Sequence, residues 1–312
     1  YDLEDIIPAY LKGISTHRQD NKTHIYGVPS GGETSLLAYR KDILAKYQIQ
    51  PAHNYEELKD HIAFFARKEP DLIPLGMRTG AGHSVTHGWL LHFAPYGGVF
   101  FDQNHTPTIQ TKAGREALDF IKLCVQNGSV GMGAWGFGNV LDNFLQGKMI
   151  YYLDSIALFG QLMNKNRSTL AEKVGFAKHP YAEKYSGQLG GFGLAIPKNA
   201  KHKDNAFKLM QWLTSKKNDL KIALRGGSAS RISTLNNPLL LEKVKGYATI
   251  RDFIPYINAE WRPNIPEWSN ISQRILGVKL SRAIIKDIPS EEALGMAQAD
   301  IKSFMQKSGY YL

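Results

Sequence analysis

The chain has 312 residues, 43% of them apolar, and a formal net charge of +10, which is enough length and apolar content for two lobes with sizeable cores. No run reaches the roughly 18 to 20 uncharged apolar residues of a membrane span, and the Lys and Arg residues form no dense basic run of the kind that marks a nucleic-acid surface. Cys124 is the single cysteine, so a disulfide framework and a cysteine zinc cluster are excluded and the compartment is left open.

The opening Tyr1-Asp-Leu-Glu-Asp lacks the basic and apolar regions of a signal peptide, so any export signal is expected upstream of Tyr1. Residues 26–29 read as a turn and residues 34–39 as a strand. A helical pattern follows over 40–47. Asn54, with Glu57 three residues on, predicts a capped helix from Tyr55 to Lys68. Residues 72–77 are a short apolar run, 113–126 an amphipathic helix in which Cys124 reads as a buried thiol, and 140–146 with 148–153 a helix followed by a buried strand. Residues 190–196 predict a strand after a glycine pair, 205–213 an amphipathic helix, and 225–231 a loop. Beyond Pro238 the pattern is largely helical, broken at Pro255, Pro263, Pro266 and Pro289. Strand and helix alternate, which predicts an α/β fold.

Several segments occur in an order that resembles a known family. They are Ile25-Tyr-Gly-Val-Pro29, Tyr39-Arg-Lys-Asp42, Gly76-Met-Arg78, Tyr96-Gly-Gly98 with Phe101-Asp102, and Phe144-Leu-Gln-Gly-Lys148 leading to Tyr152-Leu-Asp154. Gly190-Gly-Phe-Gly-Leu-Ala-Ile196, Ala206-Phe-Lys-Leu-Met-Gln-Trp-Leu213, Trp261-Arg-Pro-Asn-Ile-Pro-Glu-Trp268 and Ile288-Pro-Ser-Glu-Glu-Ala-Leu294 complete the series. Together they look like the extracellular solute-binding proteins, family 1, that serve ABC importers. Gly32-Glu-Thr-Ser35 and Met77-Arg-Thr-Gly-Ala-Gly82 are similar to the sugar and polyol binders of the sorbitol or mannitol kind.

The resemblance implies a type II periplasmic-binding-protein fold with two lobes joined by a hinge, a sugar or sugar alcohol bound in the cleft between them, and delivery to the transmembrane permease subunits. It implies a periplasmic or extracellular location, with membrane anchoring through a removed N-terminal segment as a variant. On that template residues 37–186 and 236–312 build the C-terminal lobe, and 1–36 with 187–235 the N-terminal one. Family members carry roughly a hundred residues, forming the first βαβ units, before the segment equivalent to Ile25. The N-terminal lobe is therefore expected to be incomplete: either the chain is a fragment, with exposed core edges open to swapping into an oligomer, or it is a natural protein with a reduced lobe.

A sugar offers hydroxyls, which suit planar bidentate partners, and apolar C–H faces, which suit aromatic rings. Glu33, in the glycine-flanked loop Ser30-Gly-Gly-Glu33, matches a residue that reaches the cleft in polyol-binding relatives; the alternative is a turn or capping role. Arg78 presents a fork for vicinal hydroxyls or else forms a structural salt bridge. Trp135 and Phe137, in the glycine-rich loop 131–138, suit a stacking platform, with a core role for one of them as the alternative. Asp154 closes a strand where the family often places a ligand contact, and a helix cap with Ser155 is the other reading. Phe192 stands where many relatives carry a tryptophan. Arg231 resembles a basic residue of the polyol-binder subgroup and either contacts ligand or pairs structurally. Trp268 is expected to pack beneath the cleft.

No catalytic signature is present: there is no Gly-x-Ser-x-Gly elbow, no His-Glu-x-x-His and no Walker-type loop. His83 and His87 are spaced i, i+4 on a plausible helix, yet no adjacent carboxylate completes a zinc site, so no metal or cofactor is expected. A carbohydrate-acting enzyme using the same cleft, or a remnant that no longer binds, are the alternatives to a receptor.

Overall fold

A computed structural model describes residues 1–17 and 23–311. It divides into two compact units: unit one comprises residues 1–36, 154–171 and 187–260, and unit two residues 37–153, 172–186 and 261–312. Residues 154–171 and 236–260 thus pack in unit one, whereas the family template assigns them to the other lobe. The strands needed to place the functional residues are β1 (Val28–Glu33), β2 (Ser35–Arg40), β3 (Ile73–Leu75), β4 (Met149–Ser155), β5 (Val174–Ala177) and β6 (Gly190–Leu194). The corresponding helices are α1 (Tyr55–Lys68), α2 (His83–Phe93), α3 (Lys112–Gln126), α4 (Phe137–Leu145), α5 (Leu158–Met163), α6 (Lys203–Leu213), α7 (Gly277–Ile285) and α8 (Ser290–Lys307).

In unit one, β1 pairs antiparallel with β6, Val28 opposite Leu194 and Glu33 opposite Gly190, with an irregularity between Pro29 and Gly32. The sequence places Ser30-Gly-Gly-Glu33 in a loop; it is instead the second half of a strand. The glycines explain both the misreading and the strand. Gly31 and Gly191 hold φ of +94° and +116°, and a Cβ on Gly32 would come within 1.9 Å of the Tyr10 ring, so the irregular pairing and the close aromatic contact both need glycine. Beneath the ribbon Ile6, Val28 and Met210 form a buried cluster, flanked by Leu11, Leu194 and Ile196.

Unit two is built on a four-stranded sheet in the order β3-β4-β2-β5. β3 and β4 are parallel, with Leu75 opposite Tyr151, and β5 adds antiparallel to β2, with Leu37 opposite Ala177. Every residue of β4 is buried, as expected for a central strand covered on both faces. The α1 cap forms as the sequence predicts: Asn54 Oδ1 accepts from the Glu57 N–H at 2.8 Å. Glu57 returns to the Asn54 side-chain amide, accepting from Nδ2 at 2.9 Å, and to the backbone one residue earlier, accepting from the His53 N–H at 2.8 Å. Helix α2 packs on α3 and α7. Trp89 is fully buried at the first contact, stacked on Phe93 with centroids 4.2 Å apart, and its indole N–H reaches the Gly114 carbonyl at 3.0 Å. Cys124 is buried and free, and burial raises its thiol pKa well above the ordinary range. No helix among the described residues is long and apolar enough to cross a membrane.

Candidate functional site

The candidate residues fall into two groups, each held within its own unit. In unit one Glu33 ends β1, and Asp154 and Ser155 end β4. Ser155 links them: its hydroxyl donates to Glu33 Oε2 at 2.5 Å and accepts from the Ala157 N–H at 3.1 Å, while the Ser155 N–H donates to Asp154 Oδ1 at 2.6 Å. Asp154 is 2% exposed. The Ser155 hydroxyl thus closes a turn onto Ala157 rather than capping α5, whose first turn receives no side-chain cap, and Asp154 fixes the Ser155 backbone. Glu33 is half-buried, and Tyr10 lies close enough for the Glu33 charge to add to burial in raising the tyrosine's pKa. Phe192 stands on β6 with 76% of its surface exposed, a ring with almost no packing of its own.

Arg231 is placed differently from the other predicted contacts. It is 3% exposed; its Nε donates to the Thr214 carbonyl at 2.8 Å and its Nη1 to the Asp2 carbonyl at 3.3 Å and to Asp5 Oδ2 at 3.2 Å. These bonds answer to the structural half of the sequence reading: they tie the N-terminal residues to the body of unit one.

In unit two the turn after β3 and the loop before α4 are joined by their backbones. The Trp135 carbonyl accepts from the N–H groups of Thr79 and Gly80 at 2.9 and 2.8 Å, the Trp135 N–H donates to the Thr79 hydroxyl at 3.1 Å, and that hydroxyl donates to the Met132 carbonyl. Thr79 is fully buried, so the junction is rigid and dry. It carries Arg78, Trp135 and Phe137 on two joined segments. The Arg78 guanidinium carbon lies 4.5 Å from the centre of the Phe137 ring, and the Trp135 ring packs over Gly76, where a Cβ would stand 3.0 Å from it. Phe137 is not in a loop, as the glycine-rich sequence suggests, but opens α4. Trp268 packs edge-on against Phe100, centroids 5.1 Å apart.

Sequence reasoning singled out neither Arg262 nor His87 as a site residue. Arg262 stacks over Trp261 with its guanidinium carbon 4.8 Å from the ring centre, and Trp261 meets His87 edge-on at 5.1 Å. The available signal was an arginine beside a tryptophan in a segment stiffened by Pro263 and Pro266. Among the described residues no group of three or more His, Cys, Asp or Glu side chains is arranged to hold a metal ion. A separate cavity of about 550 Å³ in unit two, lined by Asn54, Glu56, Tyr96, Lys112, Glu116 and Glu183 among others, contains none of the predicted contacts.

The comparisons with known proteins agree with this architecture. The mannitol-binding protein of Pseudomonas aeruginosa is 26% identical over 334 residues, covering 99% of this chain and 75% of that protein. A probable amino-acid ABC transporter periplasmic-binding protein of Sinorhizobium fredii is 26% identical over 298 residues, 94% of this chain and 67% of the relative. The crystal structure of an ABC transporter solute-binding protein of Agrobacterium radiobacter K84 in complex with ribitol superposes with a TM-score of 0.86 at 24% identity, covering 97% of this chain and 76% of that one. At that identity the likeness establishes the type II periplasmic-binding-protein fold. The profile of the bacterial extracellular solute-binding proteins matches residues 1–219, and the chain belongs to that family.

Proposed function

We propose that the chain binds a sugar or sugar alcohol outside the cytoplasm and hands it to the permease of an ABC importer, without making or breaking a bond. The observation that carries this reading is the Arg78–Phe137 stack beside Trp135. A guanidinium can bridge vicinal hydroxyls through its in-plane N–H groups, and neighbouring aromatic surface suits the C–H faces of the same ligand. Glu33 and Phe192 are the proposed contacts of unit one, and Arg78, Trp135 and Phe137 those of unit two; the buried Asp154 and Arg231 are proposed as structural ties. Support comes from the named ligands of two similar proteins, mannitol and ribitol. The relative named for an amino acid weighs less, because the site's mixture of exposed aromatic surface with hydrogen-bonding groups matches a polyhydroxylated chain.

No residue is given a catalytic role. Glu33 and Asp154 do not act as a glycosidase pair in this reading, since both are tied to Ser155. A ligand shifts the receptor between conformations only by its differential affinity for them, which is the property a permease reads.

Thermal denaturation against a panel of alditols, monosaccharides, disaccharides and sugar acids tests the proposal. A ligand that binds the native state raises the midpoint by mass action, by about 2.7 kcal/mol of stabilisation at a hundredfold excess over its Kd. A shift with at least one member is expected. Silence across the panel sinks the reading, and turnover of a glycoside by the purified chain would replace it with a carbohydrate-acting enzyme.

A further inference from the structure

Unit two stacks two arginines on aromatic rings close to α2, Arg78 on Phe137 at 4.5 Å and Arg262 on Trp261 at 4.8 Å. Trp261 is buried and lies edge-on to His87, whose ring is 6.0 Å from that of His83 one helical turn earlier. The Arg78 backbone rests directly on the same helix: a Cβ on Gly88 would come within 2.4 Å of the Arg78 carbonyl oxygen. Both arginine stacks and both imidazoles are thus anchored around α2.

Stacking engages the face of a guanidinium and leaves its N–H fork directed outward. Arg262 forms no ion pair among the described residues, and the carboxylate two positions before it, Glu260, is bonded to Lys12 at 2.6 Å. Burial, and after it the Arg78 charge, lowers the Arg262 pKa. The His83 pKa is lowered by burial first and then by Arg262 and Arg78. A half-buried guanidinium in a positive surrounding is costly unless something anionic completes it, and hydroxyls solvate it only weakly by comparison.

We infer that the physiological ligand carries a carboxylate, as an aldonate or uronate does, and that the stacked Arg262–Trp261 pair, next to Arg78–Phe137, is the subsite that selects it. The inference rests on the receptor reading above and narrows its ligand class from neutral polyols to sugar acids. Arg262 supplies the fork that a carboxylate accepts in bidentate fashion, and Arg78 serves the hydroxyls beside it.

The test compares D-gluconate and D-galacturonate with D-mannitol, galactitol and D-glucose 6-phosphate at equal concentration in low salt, by thermal shift and then titration calorimetry. A carboxylate ligand is expected to give the largest shift and to weaken as salt rises. Arg262→Gln should lower the ratio of carboxylate to alditol affinity by about ten- to a hundredfold, with Arg262→Lys recovering part of it. Should Arg262→Gln not fold, the salt dependence of the unaltered chain decides alone. Stronger binding of a neutral alditol or of the phosphate ester overturns the inference and leaves the receptor reading standing. No response to any ligand defeats both.

Discussion

Phe192 and Arg231 differ in what surrounds them, 76% exposed against 3%, and the difference predicts opposite consequences of truncation. Phe192→Ala removes a ring that packs on little, so unfolding by urea should change by less than about 0.5 kcal/mol. The same change deletes a stacking surface, so affinity for the ligand found by thermal shift should fall by about 1 to 3 kcal/mol in calorimetry. Arg231→Ala should do the reverse: it strips the bonds to Thr214, Asp2 and Asp5 from a buried site and should cost about 2 to 4 kcal/mol in urea unfolding. If Arg231→Ala abolished binding while leaving stability unchanged, the structural assignment of Arg231 would be wrong. The sequence left contact and structural pairing equally open for Arg231, because local sequence carries no record of which backbone carbonyls a long side chain will meet two hundred residues away.

Among the elements, the helices were the most legible, since α1 and α3 write their caps and apolar faces locally: Asn54 caps one, and Thr111, accepting from the Gly114 N–H at 3.3 Å, caps the other. Strand β1 was not legible, because Ser30-Gly-Gly-Glu33 has turn chemistry and its pairing partner lies far along the chain at β6. Nor was the π-helical stretch Ile271–Leu276 ahead of α7, where the side-chain pattern reads as uninterrupted α-helix. That stretch has an external partner: the Thr86 hydroxyl of α2 donates to the Ser272 carbonyl at 2.7 Å. A wider helical turn redirects carbonyls, and Thr86 is 1% exposed, so the bond is made out of reach of water. Thr86→Val keeps the shape, removes the donor and should cost about 1 to 3 kcal/mol in urea unfolding, whereas Thr86→Ser should cost less. Equal stability of Thr86→Val and the parent would mean that the carbonyl finds another donor.

For the molecule as a whole, family, fold and receptor role were readable from the order of segments spread over the entire chain, whereas the membership of the two units was not. Residues 154–171 and 236–260 join unit one through packing that no single segment encodes, and Arg262 escaped notice because its stacking on Trp261 is set by Pro263 and by α2. The same long-range assembly buries histidines whose protonation couples global stability to pH. The Tyr55 hydroxyl lies 2.7 Å from His92 Nδ1 and 3.0 Å from His179 Nε2, all three residues being at most 1% exposed. One hydroxyl proton serves this chain, donated to one imidazole while the oxygen accepts from the other, so the accepting ring must be neutral and burial disfavours charge on both. Burial, with a contribution from His179, holds His92 well below the ordinary histidine range, and burial lowers His179 to about 3. His61, bonded to the Tyr151 hydroxyl at 2.8 Å, is lowered by burial as well. In the unfolded chain these imidazoles take up protons near about pH 6.5, but in the fold His92 and His179 stay neutral until far lower pH. Below about 6.5 the unfolded state therefore binds more protons, so the stabilisation is complete above that pH and is lost progressively toward about pH 3, at up to about 1.4 kcal/mol per pH unit for each buried ring. The net charge of +10 acts in the same direction, because each added proton increases self-repulsion. Urea unfolding between about pH 7 and about pH 5 should show this decline, and His179→Gln, although less stable at neutral pH, should show a shallower one. An unchanged slope in that variant would assign the pH dependence to groups outside the Tyr55 cluster.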